Sequence, residues 1–404
     1  MEYYLTTNKN LQALVLLLLI IFLHPVWFIP KAQAVDKKNN KASAVLVFGD
    51  STADPGNNNY VSTIFKSNFP PYGRDFANRK PTGRFTNGRL TTDFLASYVG
   101  LKEYVPPYLD PNLSTKELMT GVSFASAGSG YDPLTSQLSN VIPILKQLEY
   151  FKEYKKRLES AIGKQQTENH INKAIFVISA GTNDFIVNYF TIPIRRKIYT
   201  TLSSYDLFLM QHVKHFLQNS KAVTVIIIII VILFVSQADY NYLSTNFCVK
   251  SLWAEGARRI AVVGLPPMGC LPAVITLNSP NAFQSRGCIE KYCSVARDYN
   301  KILQNELHFM QRSLAIFGAR IAYVDIYEPV IELIKEHKRY GFDEIYNGCC
   351  GTGYLEASFL CNPLSYACPD ANKYMFWDSI HPTEKTYNYA FKSLRPVVDS
   401  ILKG

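Results

Sequence analysis

Charge is scarce in this 404-residue chain: Asp, Glu, Lys and Arg make up 18% of it, against 48% apolar residues. A chain so poor in charge and rich in hydrophobic side chains can bury a large core, which excludes intrinsic disorder. Glycine and proline, 21 each, are near average, so collagen-like and low-complexity classes drop out. Basic residues outnumber acidic ones, 42 to 32, yet they form no block of five or six. Zinc-finger spacing, basic heptads and the aromatic signature of RNA-binding sheets are all missing, and no nucleic-acid partner is expected. The positive surplus leaves an anionic membrane or an acidic cell-wall or surface polymer as a partner class.

The N-terminal apolar run, Leu11–Leu23, falls short of the roughly 20 residues of a membrane span. It follows Lys9 and precedes Ala32-Gln33-Ala34, the small-x-small pattern of signal-peptidase cleavage. Residues 1–34 read as a signal peptide, with a signal anchor as the competing reading. The mature chain is then secreted, without a stable membrane span. Cysteine usage agrees. Cys270, Cys288, Cys349, Cys350, Cys361 and Cys368 are expected to pair in an oxidising compartment, connectivity open, with Cys248 and Cys293 left over. Their spacing matches no common zinc pattern, so no metal and no cofactor is expected. Asn112-Leu113-Ser114 is a glycosylation sequon, which makes Asn112 a candidate surface site.

Short apolar runs alternate with helix-period stretches along the mature chain. Ala44–Phe48, Ala174–Ile178, Ile260–Val263 and Ile321–Val324 read as strands buried on both faces, with Val122–Ala125 as a weaker fifth. Thr91–Val99, Pro143–Leu158, Ser204–Leu217, Cys293–Phe317 and Pro329–Lys338 read as helices. The alternation predicts one doubly wound α/β domain over residues 35–404. Small polar clusters follow three of the runs: Gly49-Asp50-Ser51, Ser126-Ala127-Gly128 and Ser179 to Asp184. In open α/β sheets ligands bind beyond the carboxyl ends of the strands, so the three clusters are expected to line one site.

A serine nucleophile needs a base, and the base needs an orienting acid. Of the seven histidines, His24 falls within the signal peptide. His212, His215, His308 and His337 sit on polar or charged helical stretches, and His170 precedes a strand. His381 alone has a carboxylate in a turn-like setting, Asp378-Ser379-Ile380-His381-Pro382, where Pro382 biases it away from helix. Paired with Ser51 just past the first strand, Asp378 and His381 form a candidate triad. The G-x-S-x-G elbow is absent, which excludes the commonest serine-esterase fold but not a triad on another one.

Phe48-Gly49-Asp50-Ser51, Phe124-Ala125-Ser126-Ala127-Gly128, Gly181-Thr182-Asn183-Asp184 and Asp378-Ser379-Ile380-His381-Pro382 resemble, in order, the four blocks of the GDSL (SGNH) hydrolases. The chain looks closest to secreted plant GDSL esterase/lipases. Gly83 to Arg89, Gly264 to Cys270 and Gly348 to Gly353 add to the likeness, which covers about residues 42–404. The resemblance implies a three-layer α/β/α, flavodoxin-like fold with a central, mostly parallel five-stranded sheet. It implies Ser51 as nucleophile, His381 as base and Asp378 as orienting acid. The oxyanion hole would combine the backbone N–H groups of Ser51 and Gly128 with the Asn183 amide. The implied activity is hydrolysis of acyl ester or lipid substrates by a monomer. An acyltransferase using the same acyl-enzyme and a catalytically silent binding protein are the alternatives. Ser123 departs from the family, which usually has Asn there, at a structural position.

A larger departure lies at about 220–250. By the family pattern, the helix ending at Leu217-Gln218 should run directly into Leu252-Trp253-Ala254-Glu255. Instead a segment containing Val223–Val235 intervenes, too short for a span and too apolar for a surface loop. A membrane-touching insertion, an extra strand and a retained intron compete. The intron reading is favoured, because Ile, Asn, Phe and Lys are what AT-rich DNA encodes.

Overall fold

The computed structural model describes residues 42–217 and 252–403. The expected signal peptide, 1–34, the segment at about 220–250 and Cys248 lie outside the described residues. Four strands, β1 (Val45–Gly49), β2 (Ile175–Ser179), β3 (Arg259–Val263) and β4 (Arg320–Val324), pair in parallel in that order. Val47 lies opposite Val177, which lies opposite Ala261. Strand side chains alternate between faces. Leu46, Phe48, Phe176 and Ile178 therefore enter one core, and Val45, Val47, Ile175 and Val177 another.

Helices cover both faces, giving three layers. The first face packs against α2 (Ile144–Ile162), α3 (Leu202–Leu217) and α4 (Glu290–Leu314) through residues such as Phe151, Phe216 and Leu303. The second packs against α1 (Thr91–Tyr98) and α6 (Glu384–Lys403) through Phe94, Leu95, Tyr387 and Phe391. The fifth expected helix is α5 (Tyr327–Lys335). Helix α6 was not anticipated. Its buried positions Tyr387, Phe391 and Leu394 follow helical spacing, but Pro396 inside it reads as a breaker. A separate two-stranded sheet joins β5 (Glu344–Gly348) to β6 (Tyr374–Phe376).

The expectation of five strands needs correction. Val122–Ala125 lies along the free edge of β1: Val47 N–H donates to the Val122 carbonyl (3.1 Å) and Phe124 N–H to the Val47 carbonyl (2.7 Å). Among the described residues, however, this segment makes isolated bridges at Ser123 and no strand, so the central sheet has four strands. The ladder to β1 stops because Gly49 N–H, which would pair with the Phe124 carbonyl, donates instead to the Gln147 side chain (2.8 Å). On the segment's far edge the Asn57 amide donates to the carbonyls of Ser123 and Ala125 (both 2.8 Å), and Ala125 N–H donates to Ser123 Oγ (3.2 Å). Ser123 itself is fully buried and donates to the Ala53 carbonyl, a structural position.

Helix α3 carries a second feature of note. Leu252 N–H donates to the Phe216 carbonyl (3.2 Å) and Trp253 N–H to the Leu217 carbonyl (3.4 Å). That is the i→i−4 pattern of an α-helix with two residues between Leu217 and Leu252, where the chain has 34. Among the described residues three disulfides form, Cys270–Cys288, Cys349–Cys368 and Cys350–Cys361, and Cys293 is a buried free thiol.

Candidate active site

The site is built where β1 ends. Gly49 takes a positive φ of 136°, and a Cβ there would lie 1.8 Å from the Ser179 carbonyl oxygen, so only glycine lets β1 turn this close to β2. Gln147 of α2 clamps the same residue from both sides. It accepts from Gly49 N–H (2.8 Å) and donates to the Gly49 carbonyl (2.9 Å). The turn presents Ser51, which is 8% exposed, beside Asp50. Asp50 Oδ1 accepts from the backbone and hydroxyl of Thr52, and burial pushes its carboxyl up to about 6.

Asp378 and His381 follow β6. Asp378 Oδ1 accepts the N–H groups of Ile380 (2.8 Å) and His381 (2.7 Å), closing a tight turn on the aspartate's own side chain. The turn folds the imidazole back onto the carboxylate, with Nδ1 2.7 Å from Asp378 Oδ2. On the other side His381 Nε2 lies 2.8 Å from Ser51 Oγ, closing a hydrogen-bonded chain across 330 residues of sequence. Asp378 is fully buried and His381 is 5% exposed. The Phe85 ring packs on the imidazole at 4.8 Å. Sequence reasoning missed Tyr72, whose buried hydroxyl donates to Asp378 Oδ2 (2.7 Å) and accepts from Ser358 N–H (2.8 Å).

Asn183 lines the same cleft as Ser51 and His381, and Gly128 follows the segment bonded to β1. Gly128 has a φ of 87°, and among the described residues neither its N–H nor that of Ser51 has an acceptor. Asn183 Nδ2 donates to the Ser129 carbonyl (2.9 Å), which leaves its second N–H free to turn toward a ligand. Asp184 ties these two loops together. Its carboxylate accepts from the N–H groups of Tyr131 and Asp132 and from the Thr135 hydroxyl, and burial raises it to about 7. A Cβ at Gly130 would lie 2.1 Å from Asp184 Oδ1, so the approach is tight. Asp184 was expected at the site only as the end of its cluster, with no role of its own, and Gln147 was not singled out from sequence. The available signal for Gln147 was an amide on the buried stripe of an otherwise apolar helix face.

The other described histidines lie away from Ser51, His170 on a helix before β2 and His337 bonded to the Phe342 carbonyl. Asn112 is exposed, and Ser114 of the same sequon caps the helix Thr115–Thr120. Among the described residues no helix is long and apolar enough to cross a membrane.

Residues 45–394 match the family described as GDSL-like lipase/acylhydrolase. The chain is 56% identical over 371 residues to the GDSL esterase/lipase At5g45960 of Arabidopsis thaliana, covering 92% of this chain and 90% of the relative. It is 41% identical to the Arabidopsis GDSL esterase/lipase At1g58430, over 92% of this chain and 93% of that one. A third, At2g24560, is 43% identical over 86% of each. With its parallel sheet, its flanking helices and a serine at the end of the first strand, the chain belongs to the GDSL-like lipase/acylhydrolase family and is a carboxylic ester hydrolase.

Proposed function

We propose that the protein hydrolyses acyl esters through a Ser51–His381–Asp378 triad and an acyl-enzyme. The observation that carries this is the continuous hydrogen-bonded chain from Ser51 Oγ through both imidazole nitrogens to Asp378. His381 Nε2 takes the Ser51 proton as Oγ attacks the ester carbonyl, and returns it to the leaving alcohol. Asp378 holds the Nδ1–H tautomer and stabilises the imidazolium. The oxyanion of each tetrahedral intermediate is held by the Ser51 and Gly128 N–H groups and the free N–H of Asn183. Water then attacks the acyl-enzyme, with His381 again as base.

Mass spectrometry after treatment with a serine-directed phosphonate tests the assignment. One adduct on the Ser51 peptide is expected, together with an ester turnover that falls roughly 10⁴-fold or more in Ser51→Ala. An adduct elsewhere, or an active Ser51→Ala, defeats the reading.

Secretion belongs to the same proposal. Three disulfides fit an oxidising compartment, and the apolar N-terminus fits a signal peptide cleaved after Ala34. The mature protein is expected to start at Val35, to carry a glycan on Asn112, to run as a monomer, and to bind anionic wall polymers in a salt-sensitive way. N-terminal sequencing, glycosidase treatment, gel filtration and salt elution check these four points.

A further inference from the structure

The two faces of the central sheet are filled unequally. On the face covered by α2, α3 and α4, aromatic rings close the space: Phe48 stacks on Phe124 at 5.0 Å and meets Phe151 edge-on at 5.9 Å. On the face covered by α1 and α6, Val177 and Val263 lie beneath Ala390 and Leu394, side chains too small to close the gap. There an apolar cleft, partly open to solvent, starts at Ser51, Asn183 and His381 and runs under α6. A second, smaller apolar cavity continues it. The two share Thr91, Thr92, Val177, Val263 and Leu394, and the second ends among Val397, Val398 and Ile401.

Polarity grades along this path. Near Ser51 the wall carries Thr52, Ser179, Thr386 and Tyr387. The Tyr387 hydroxyl is buried, on a residue 5% exposed, and has no hydrogen-bond partner among the described residues. Past Val177 the lining is hydrocarbon apart from Thr91 and Thr92. Ser179, Val177 and Ile175 alternate onto this face of β2. The path therefore tracks the strand for four residues, roughly 13 Å at about 3.3 Å per residue, the extended length of an acyl chain of about ten carbons.

We propose that this cleft is an acyl channel, selecting esters of unbranched medium-to-long acyl chains that thread between the sheet and α6 with the carbonyl held at Ser51. The proposal rests on the reading of Ser51 as nucleophile. Each methylene taken from water strengthens binding about fourfold, and a channel of this length rewards successive methylenes until its floor at Ile401 is reached.

The test is the chain-length profile of p-nitrophenyl esters from acetate to hexadecanoate. For the unaltered protein, kcat/KM is expected to rise to about ten carbons, at least about tenfold above acetate, and then to fall. Ala390→Phe plugs the path and is expected to lower the decanoate-to-acetate ratio about tenfold; Leu394→Ala deepens it and moves the optimum to longer chains. Decanoate turned over no faster than acetate by the unaltered protein overturns the proposal. So does a ratio within about twofold of the original in a folded Ala390→Phe. Displacement of a fluorescent fatty acid from the Ser51→Ala protein by decanoate, and not by acetate, is expected as well; absence of displacement overturns the channel without any variant of its lining. Acetate turnover that survives in Ser51→Ala defeats the nucleophile reading instead. Turnover lost in that variant, with a flat chain-length profile, defeats the channel alone.

Discussion

The hydroxyl of Tyr72 sits 2.7 Å from Asp378 Oδ2 and donates to it, while its oxygen accepts the Ser358 N–H at 2.8 Å. Tyr72 thereby joins the loop before α1 to the loop closed by Cys350–Cys361 and to the turn that carries Asp378. Burial and the neighbouring carboxylate push its phenol well above the usual range, so it stays a neutral donor at any working pH. Tyr72→Phe removes that donor and strands a buried N–H. It is expected to lower stability by about 1–3 kcal/mol and to slow turnover of a short ester roughly tenfold. Thermal melts and steady-state kinetics on the same preparation measure both. A variant with native turnover and a lowered Tm alone would assign Tyr72 to the scaffold only.

Asn183→Ala removes the proposed side-chain donor to the oxyanion and leaves Ser51 and His381 in contact. The expected result is a loss of roughly 10²–10³ in kcat with little change in KM. An unchanged kcat would remove Asn183 from the site.

Four buried carboxyls weigh on the response of stability to pH. Desolvation raises Asp50 and Asp54 to about 6 and Asp184 and Asp206 to about 7, whereas unfolded carboxyls titrate at about 4. Between those values the folded state binds more protons than the unfolded one. Stability therefore falls as pH rises from about 4 through 7 and levels off above about 8. A melting temperature at pH 5 several degrees above that at pH 8 is expected, corresponding to at least ~1 kcal/mol. Equal or higher stability at pH 8 would mean these carboxylates are better compensated than their burial implies.

The bond from Leu252 N–H to the Phe216 carbonyl predicts the outcome of an excision. Replacing residues 218–251 by two helix-forming residues is expected to let α3 run on to Trp253 in the register it already has. Melting temperature and soluble yield should be equal to or above those of the full chain. A protein that fails to fold after excision would give the intervening segment a structural role, and transcripts that retain it in frame would argue against an intron.

Much of this was legible in the sequence because its signals are local. Ala44–Phe48, Ala174–Ile178, Ile260–Val263 and Ile321–Val324 read as strands, and each lies within a residue of an observed one; the last was expected to be buried on both faces, but β4 is the sheet's edge and Ala322 and Tyr323 are only half-buried. Ser51, Gly128, Asn183, Asp378 and His381 stood out because each follows an apolar run or sits in a constrained turn. What escaped was long-range or masked. Tyr72 reaches Asp378 across 306 residues, and Gln147 reaches Gly49 across 98; no periodicity records such partners. Helix α6 hid behind Pro396, and Val122–Ala125 had a strand's composition while Gln147 took the Gly49 N–H that would have extended its pairing with β1. The cysteine pairing also required the fold, since adjacent Cys349 and Cys350 go to different partners.

Those disulfides bear on one part of the site more than another. All three fall between Cys270 and Cys368, and Cys349 and Cys350 donate their N–H groups to the carbonyls of Phe376 and Trp377, immediately before Asp378. Cys349, Cys350, Cys361 and Cys368 pack in one buried cluster with Tyr72, Phe85, Ala127 and Trp377. That cluster reaches the carboxylate through Tyr72, the imidazole through Phe85 and the Gly128 loop through its neighbour Ala127. Two covalent crosslinks therefore brace the parts of the site that no strand of the central sheet carries, and their reduction is expected to loosen the acid–base pair and the Gly128 loop while β1 keeps Ser51 in place.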